Sequence, residues 1–203
     1  MTTPSPPKKI RIDAAALRVL AHPLRSRLLS ELRREGPATA TALAKALDTN
    51  TGATSYHLRK LADVGLVEET GAGAGRERWW QAAHDMHSWS ASDFAGDRDS
   101  EAAAEWLEGE YFRQFQRHTE QWAAERSEWP LEWRDSAGAS DYMVELTPEQ
   151  LRAMHREIFE VVERYRAVGP DGPDAARVLF FMHTFPEPRG SGSREPRGSE
   201  GKR

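Results

Sequence analysis

The spacing of chain breakers between residues 22 and 75 is the feature that most restricts this fold. His22-Pro23, Gly36-Pro37, Asp48-Thr49-Asn50, Gly65 and the run Gly71-Ala72-Gly73-Ala74-Gly75 cut the segment into short pieces. Each piece is long enough for a few helical turns or a short strand, and no more. Leu24, Leu28, Leu29 and Leu32 form a helical stripe. Pro23 sits in its first turn, where the missing N–H has no helical partner to lose. Before it, Asp13 is the expected N-cap of a helix reaching Leu20. After it, Thr39 or Thr41 should cap a short helix that turns Leu43, Ala44 and Leu47 inward. Asp48-Thr49-Asn50 is rich in residues that bond their own backbone, so a tight turn is expected there. Residues 51–64 then form a helix with Leu58 and Leu61 inward, stopped by Gly65. Leu66–Thr70 and Arg76–Ala82 read as two strands of a hairpin joined by the glycine-rich tip.

The outer face of the helix at 51–64 is out of keeping with a solvated surface. A solvated face normally alternates Glu and Lys. Here Thr51, Gly52, Ala53 and Ser55 make one end small, and Arg59-Lys60 make the other basic. A helix that enters a groove needs such a slim leading turn.

The second half of the chain has a different rhythm. Residues 83–98 carry no clear pattern. Asp99 to Glu128 reads as one long helix, in which Phe112, Phe115, Thr119, Trp122, Arg126 and Trp129 step by three and four like a heptad seam. Trp129-Pro130 ends it. Tyr142–Leu146 and Arg177–Phe185 are β-prone. Between them, Thr147-Pro148-Glu149-Gln150 opens a helix with Leu151, Met154, Ile158, Val161, Val162 and Tyr165 on one face. A strand–helix–strand unit is therefore expected, packed on the long helix or paired across a dimer, because two strands alone are not a stable sheet. The fold class expected is mainly α with small β (α+β). The expected divisions are a disordered N-terminus at 1–9, a first domain at 10–83, a second at 84–187 and a disordered Gly/Ser/Arg/Glu tail at 188–203.

Charge divides the same way. Residues 1–82 hold 13 Lys and Arg against 8 Asp and Glu, a net +5, whereas residues 83–203 hold 15 against 24, a net −9. A basic first domain joined to an acidic remainder suits a nucleic-acid reader with a separate sensing or dimerising part. The 203 residues contain no cysteine, which excludes disulfides, thiolate metal sites and cysteine nucleophiles. No apolar run approaches the roughly 18 residues of a membrane span, and the first residues lack a secretion signal. A cytoplasmic protein is expected, with no membrane partner.

Three runs, "AHPLRSRLLSELRREGP", "TALAKALDTNTGATSYHLRKLADVGLVEE" and "GRERWWQAA", resemble in that order the ArsR-like winged helix-turn-helix transcriptional regulators. The resemblance covers roughly residues 13–82. A looser likeness, fixing no residues, is to actinobacterial-type members with a C-terminal extension. The resemblance implies a homodimer on a palindromic double-stranded operator, acting as a repressor released by a ligand. It makes residues 51–64 the recognition helix in the major groove and 66–82 the wing. Thr51, Thr54, Ser55 and Tyr56 would then bond phosphates or base edges. Arg59 would read a guanine or hold a phosphate, and Lys60 would meet a phosphate. His57 lies in the matched block, either reading a base or packing. Arg76 and Arg78 would hold the minor groove or backbone beside the wing tip.

Some relatives sense metals through Asp-x-His, ten residues, then His-x-x-Glu or His-x-x-His. Asp85-Met86-His87 matches the first half, but Arg98 stands where the next His belongs. Half a four-ligand site does not bind zinc tightly, and His84 with His87 at i, i+3 would make only an opportunistic pair, so no metal or other cofactor is expected. The aromatic residues of the second half would be core and dimer interface, or would line a pocket for an apolar or aromatic small-molecule effector. A protein-gated DNA binder is an alternative. No nucleophile elbow, P-loop or dinucleotide fingerprint supports an enzyme.

Overall fold

A computed structural model describes residues 8–71, 77–169 and 172–187. Contacts divide the chain between Gly169 and Pro170, and the two parts are taken separately.

The first part opens with a short strand, β1 (Lys9–Arg11), and three helices, α1 (Ala14–Leu20), α2 (Pro23–Glu35) and α3 (Ala40–Ala46), with β2 (Ala38–Thr39) before the third. Local chemistry sets each start. Asp13 accepts from the Ala16 amide, His22 Nδ1 from Leu24 and Thr39 from Ala42. Thr39, rather than Thr41, is therefore the cap of α3. Asp48 takes a left-handed φ of 50° in the turn that follows, a conformation Asp tolerates better than most residues. Helix α4 (Thr51–Ala62) starts where the Asn50 side chain accepts from the Ala53 amide at 2.7 Å. It ends two residues earlier than expected, and Gly65, at φ 70°, turns the chain into the hairpin.

Strands β3 (Val67–Glu69) and β4 (Trp79–Ala82) pair antiparallel, Glu68 opposite Gln81, and β2 adds on the other side in the order β2-β4-β3. Both strands are shorter than expected, and residues 72–76, which include most of the glycine-rich tip and Arg76, lie outside the described residues. Beyond the hairpin, β5 (Met86–Ser88) pairs parallel with β1. This ladder corrects two expectations. Residues 83–98 contain a strand, and Lys8 and Lys9, placed in a disordered terminus, are held: the Lys8 amide donates to Asp85 Oδ2 at 2.8 Å and Lys9 is in β1. The rest of the expected disorder, at 1–7 and 188–203, lies outside the described residues.

Helix α5 (Arg98–Glu125) runs into one tighter turn at Arg126–Glu128, close to the expected span. A short α6 (Leu131–Ser136) follows Pro130, and α7 (Pro148–Val168) starts with the expected capping box between Thr147 and Gln150. One core unites these pieces. Leu17, Leu20, Leu28, Leu29, Leu43, Leu58, Leu61, Leu66 and Trp80 pack with Phe94, Ala103 and Leu107. The core thus crosses the boundary expected at 83–84, because the first half of α5 lies on α1. In α5 only Ser100, Ala103 and Leu107 are buried, and α7 has no buried residue.

The two C-terminal strands are not formed. Residues 137–147 are irregular, with Tyr142 88% and Met143 91% exposed. In the second part, residues 172–187 carry no strand either, and Val178, Phe180 and Phe185 are exposed. The reason is that β-propensity reports a fit to a neighbouring strand. Neither segment has a ladder partner here. The mainly α, small β class holds, but its C-terminal unit is a helix between irregular segments.

Candidate nucleic-acid interface

Helix α4 shows two faces. Thr54, Leu58 and Leu61 are wholly buried, at spacings of four and three that fall on one side of a helix. Thr54 therefore does not face outward as expected. Its hydroxyl donates to the Asn50 carbonyl at 3.0 Å, which satisfies it inside the core and leaves nothing for a phosphate.

Thr51, Tyr56, Arg59 and Lys60 are exposed, and Ser55 is half-buried. Thr51, Ser55 and Arg59 line one wall of a cavity of about 350 Å³. Thr39 and Thr41, at the start of α3, and Arg78 and Trp80, on the hairpin side, close the rest. The structure thus brings together Thr51, Ser55 and Arg59 of α4 with Arg78 of the hairpin, two separate stretches of sequence. It also adds Thr39, the cap of α3, and Thr41 in its first turn, expected from the sequence only as capping residues. A Thr-x-Thr pair at a helix start is the signal for them.

The cations are not equally free. Arg78 pairs with Glu69 at 3.0 Å across the hairpin, and Lys60 with Asp63 at 3.5 Å. Both pairs are exposed and therefore weak. Lys60 also lies 5.9 Å from the centre of the Tyr56 ring. Among the described residues Arg59 makes no ion pair, and Glu77 is the one carboxylate residue that lines the same cavity.

His57 packs inward. Its ring lies 4.5 Å from that of His22, the cap of α2, and 5.1 Å from Tyr56. Burial, and next Arg25, lowers the pKa of both histidines, which keeps them neutral at pH 7. Of the two roles left open by the sequence, the geometry gives His57 packing.

Asp85 and His87, the half-motif for a metal, are turned to other partners. Asp85 binds the Lys8 amide and Arg166, at 2.8 and 2.9 Å. His87 Nδ1 lies 2.6 Å from Arg33. A guanidinium against a ligating nitrogen opposes a cation there. Arg98 opens α5, at the position where the motif needs a histidine.

A family model described as a helix-turn-helix domain matches residues 20–70. That stretch contains α2, α3 and α4 and reaches the first strand of the hairpin. The match supports a DNA-binding regulator. No curated protein matches the chain. Among the described residues no helix is long and apolar enough to cross a membrane.

Proposed function

We propose that this protein is a sequence-specific double-stranded DNA-binding transcriptional regulator of the ArsR-like type, working in the cytoplasm as a homodimeric repressor without a metal or other cofactor. Helix α4 enters the major groove, and the β3–β4 hairpin serves as the wing. The observation that carries this reading is the outer face of α4, where a small leading turn is followed by Arg59, which makes no ion pair among the described residues, in a cavity shared with Thr51, Ser55, Glu77 and Arg78. An α-helix fits the major groove only when its leading side chains are small. Hydroxyls and cations around it suit phosphate and base edges.

Dimerisation is supported by what a single copy leaves uncovered. Helix α7 is amphipathic yet has no fully buried residue, and Leu151, Met154, Ile158 and Val162 on its apolar face are only half-buried. A half-covered apolar helical face suits an interface. A second copy meeting along this face would place two α4 helices on the half-sites of a palindrome. An apolar or aromatic effector acting on the same face would release the DNA.

Arg59→Ala tests the assignment. A base-reading arginine contributes about 1–3 kcal/mol, so each half-site should lose roughly ten- to a hundredfold in affinity. Equilibrium titration of folded wild type and variant against the same duplex measures it. Equal affinities would remove α4 from the major groove.

A further inference from the structure

One buried polar cluster lies outside the DNA-facing surface. Arg33 stands near the end of α2, His87 in β5 and Tyr111 in α5. Arg33 Nη2 is 2.6 Å from His87 Nδ1, and His87 Nε2 bonds the Tyr111 hydroxyl. His84 Nε2 approaches the same Nδ1 at 3.1 Å. Trp89 walls the cluster, its ring 6.0 Å from His87 and 6.1 Å from Tyr111.

Proton positions follow from the partners. Arginine has only donors, so His87 Nδ1 must be the acceptor. His87 then carries its proton on Nε2 and donates it to the Tyr111 oxygen. His84 must donate from Nε2, which leaves its Nδ1 a bare lone pair, and that atom is indeed buried without a partner. Both imidazoles are neutral, and both are needed in one tautomer. Among the described residues Arg33 has no carboxylate ion pair, and its Nε is buried without a partner. The charge of Asp85 reaches Arg33, but Lys8 and Arg166 already hold that carboxylate. A half-satisfied buried network of this kind costs stability, and an apolar joint would serve packing better. Its expense suggests that it does something besides packing.

The cluster joins two elements with different roles. Arg33 belongs to α2, which packs directly on α4. Tyr111 lies where α5 leaves the core, four residues past Leu107, the last buried position of that helix. Resting on the DNA-binding reading above, we propose that Arg33–His87–Tyr111 is a positioning relay. Through it, the seating of α5 sets the placement of α2 and α4, so that an event on the exposed half of α5 changes affinity for DNA. The relay works only with neutral histidines. A proton on His87 Nδ1 would set a donor against the Arg33 donor. Arg33, His84, Asp85, Lys8, Tyr111 and Arg166 are the titratable and charged groups around it.

Three variants of the full chain test this. Tyr111→Phe removes one hydroxyl. His87→Leu removes both bonds. His87→Gln restores an acceptor toward Arg33 and a donor toward Tyr111 without a titrating ring. Each is compared with wild type at pH 7 for affinity toward a duplex that wild type binds, for urea midpoint, and for DNA-free amide exchange across residues 30–36. The expected result is a change in affinity of about tenfold, a usual allosteric coupling, for Tyr111→Phe and His87→Leu while both are folded. His87→Gln should return to within about threefold of wild type. Exchange at 30–36 should rise beyond the uniform change that the urea midpoint accounts for. Unchanged affinity in folded Tyr111→Phe, with exchange at 30–36 moving only with global stability, would overturn the relay. If wild type bound no duplex, the DNA reading would fail separately, and the exchange result would still decide whether α5 and α2 are coupled.

Discussion

Leu58→Ala is expected to cost about 2–5 kcal/mol of folding stability, the usual range for truncating a fully buried leucine. Leu58 is wholly buried, in a core that gathers α1, α2, α4, the hairpin and the start of α5. The ion pairs Arg18–Asp97, Lys60–Asp63 and Arg78–Glu69 are exposed and add little to this packing. A cavity at Leu58 would be felt by all of those elements, since close-packed interiors relax only in part. The next residue, Arg59, is exposed. Leu58→Ala should therefore move the urea midpoint strongly, whereas Arg59→Ala should leave it within about 0.5 kcal/mol of wild type. Equal losses in the two variants would mean that α4 is not seated by this face.

Acidification should bring a loss of similar size. Burial first, and then Arg33, holds His84 neutral with a pKa lowered to about 4, and His87 with a pKa lowered to about 2. In the unfolded chain both titrate near 6.5. Between pH 6.5 and 4 the unfolded state therefore binds protons that the folded state refuses. Stability contributed by the neutral pair is complete above pH 6.5 and falls with pH. The slope is about 1.4 kcal/mol per pH unit for each histidine fully protonated only when unfolded. Against total stabilities commonly about 5–15 kcal/mol, that slope makes a substantial loss by about pH 4.5 the expected result. His22 and His57, whose pKa values are also lowered, act in the same direction. Urea midpoints at pH 7.5, 6 and 4.5 measure the slope, and the double change His84→Gln with His87→Gln should flatten it. A wild-type midpoint unchanged from pH 7.5 to 4.5 would contradict the buried, neutral pair.

What the sequence discloses follows the range of the interactions. Chain breakers and caps act over three or four residues. Accordingly Pro23, Gly36, Asn50 and Gly65 mark real boundaries, and the Thr147–Gln150 box opens α7 as expected. Thr54 is polar, yet its position four before Leu58 puts it on the buried stripe, and helical periodicity rather than polarity decides which way it faces. Pairing of β1 with β5 joins three-residue strands from opposite ends of the DNA-binding region, which no local pattern encodes. Arg33, His87 and Tyr111 are ordinary residues until three elements bring them together. Residues 142–146 and 177–185 show the opposite case: strong β-propensity without an edge to join yields irregular chain.

Whether α4 reads a specific duplex is measured by fluorescence anisotropy of the full chain against duplexes tiled across the DNA upstream of its own gene, beside a scrambled duplex, at two salt concentrations. Tight binding to one tile that persists at the higher salt is expected, with a palindrome whose half-sites are about one helical turn apart. Weak and equal binding to every tile and to the scrambled duplex, collapsing as salt rises, would contradict specific reading by α4.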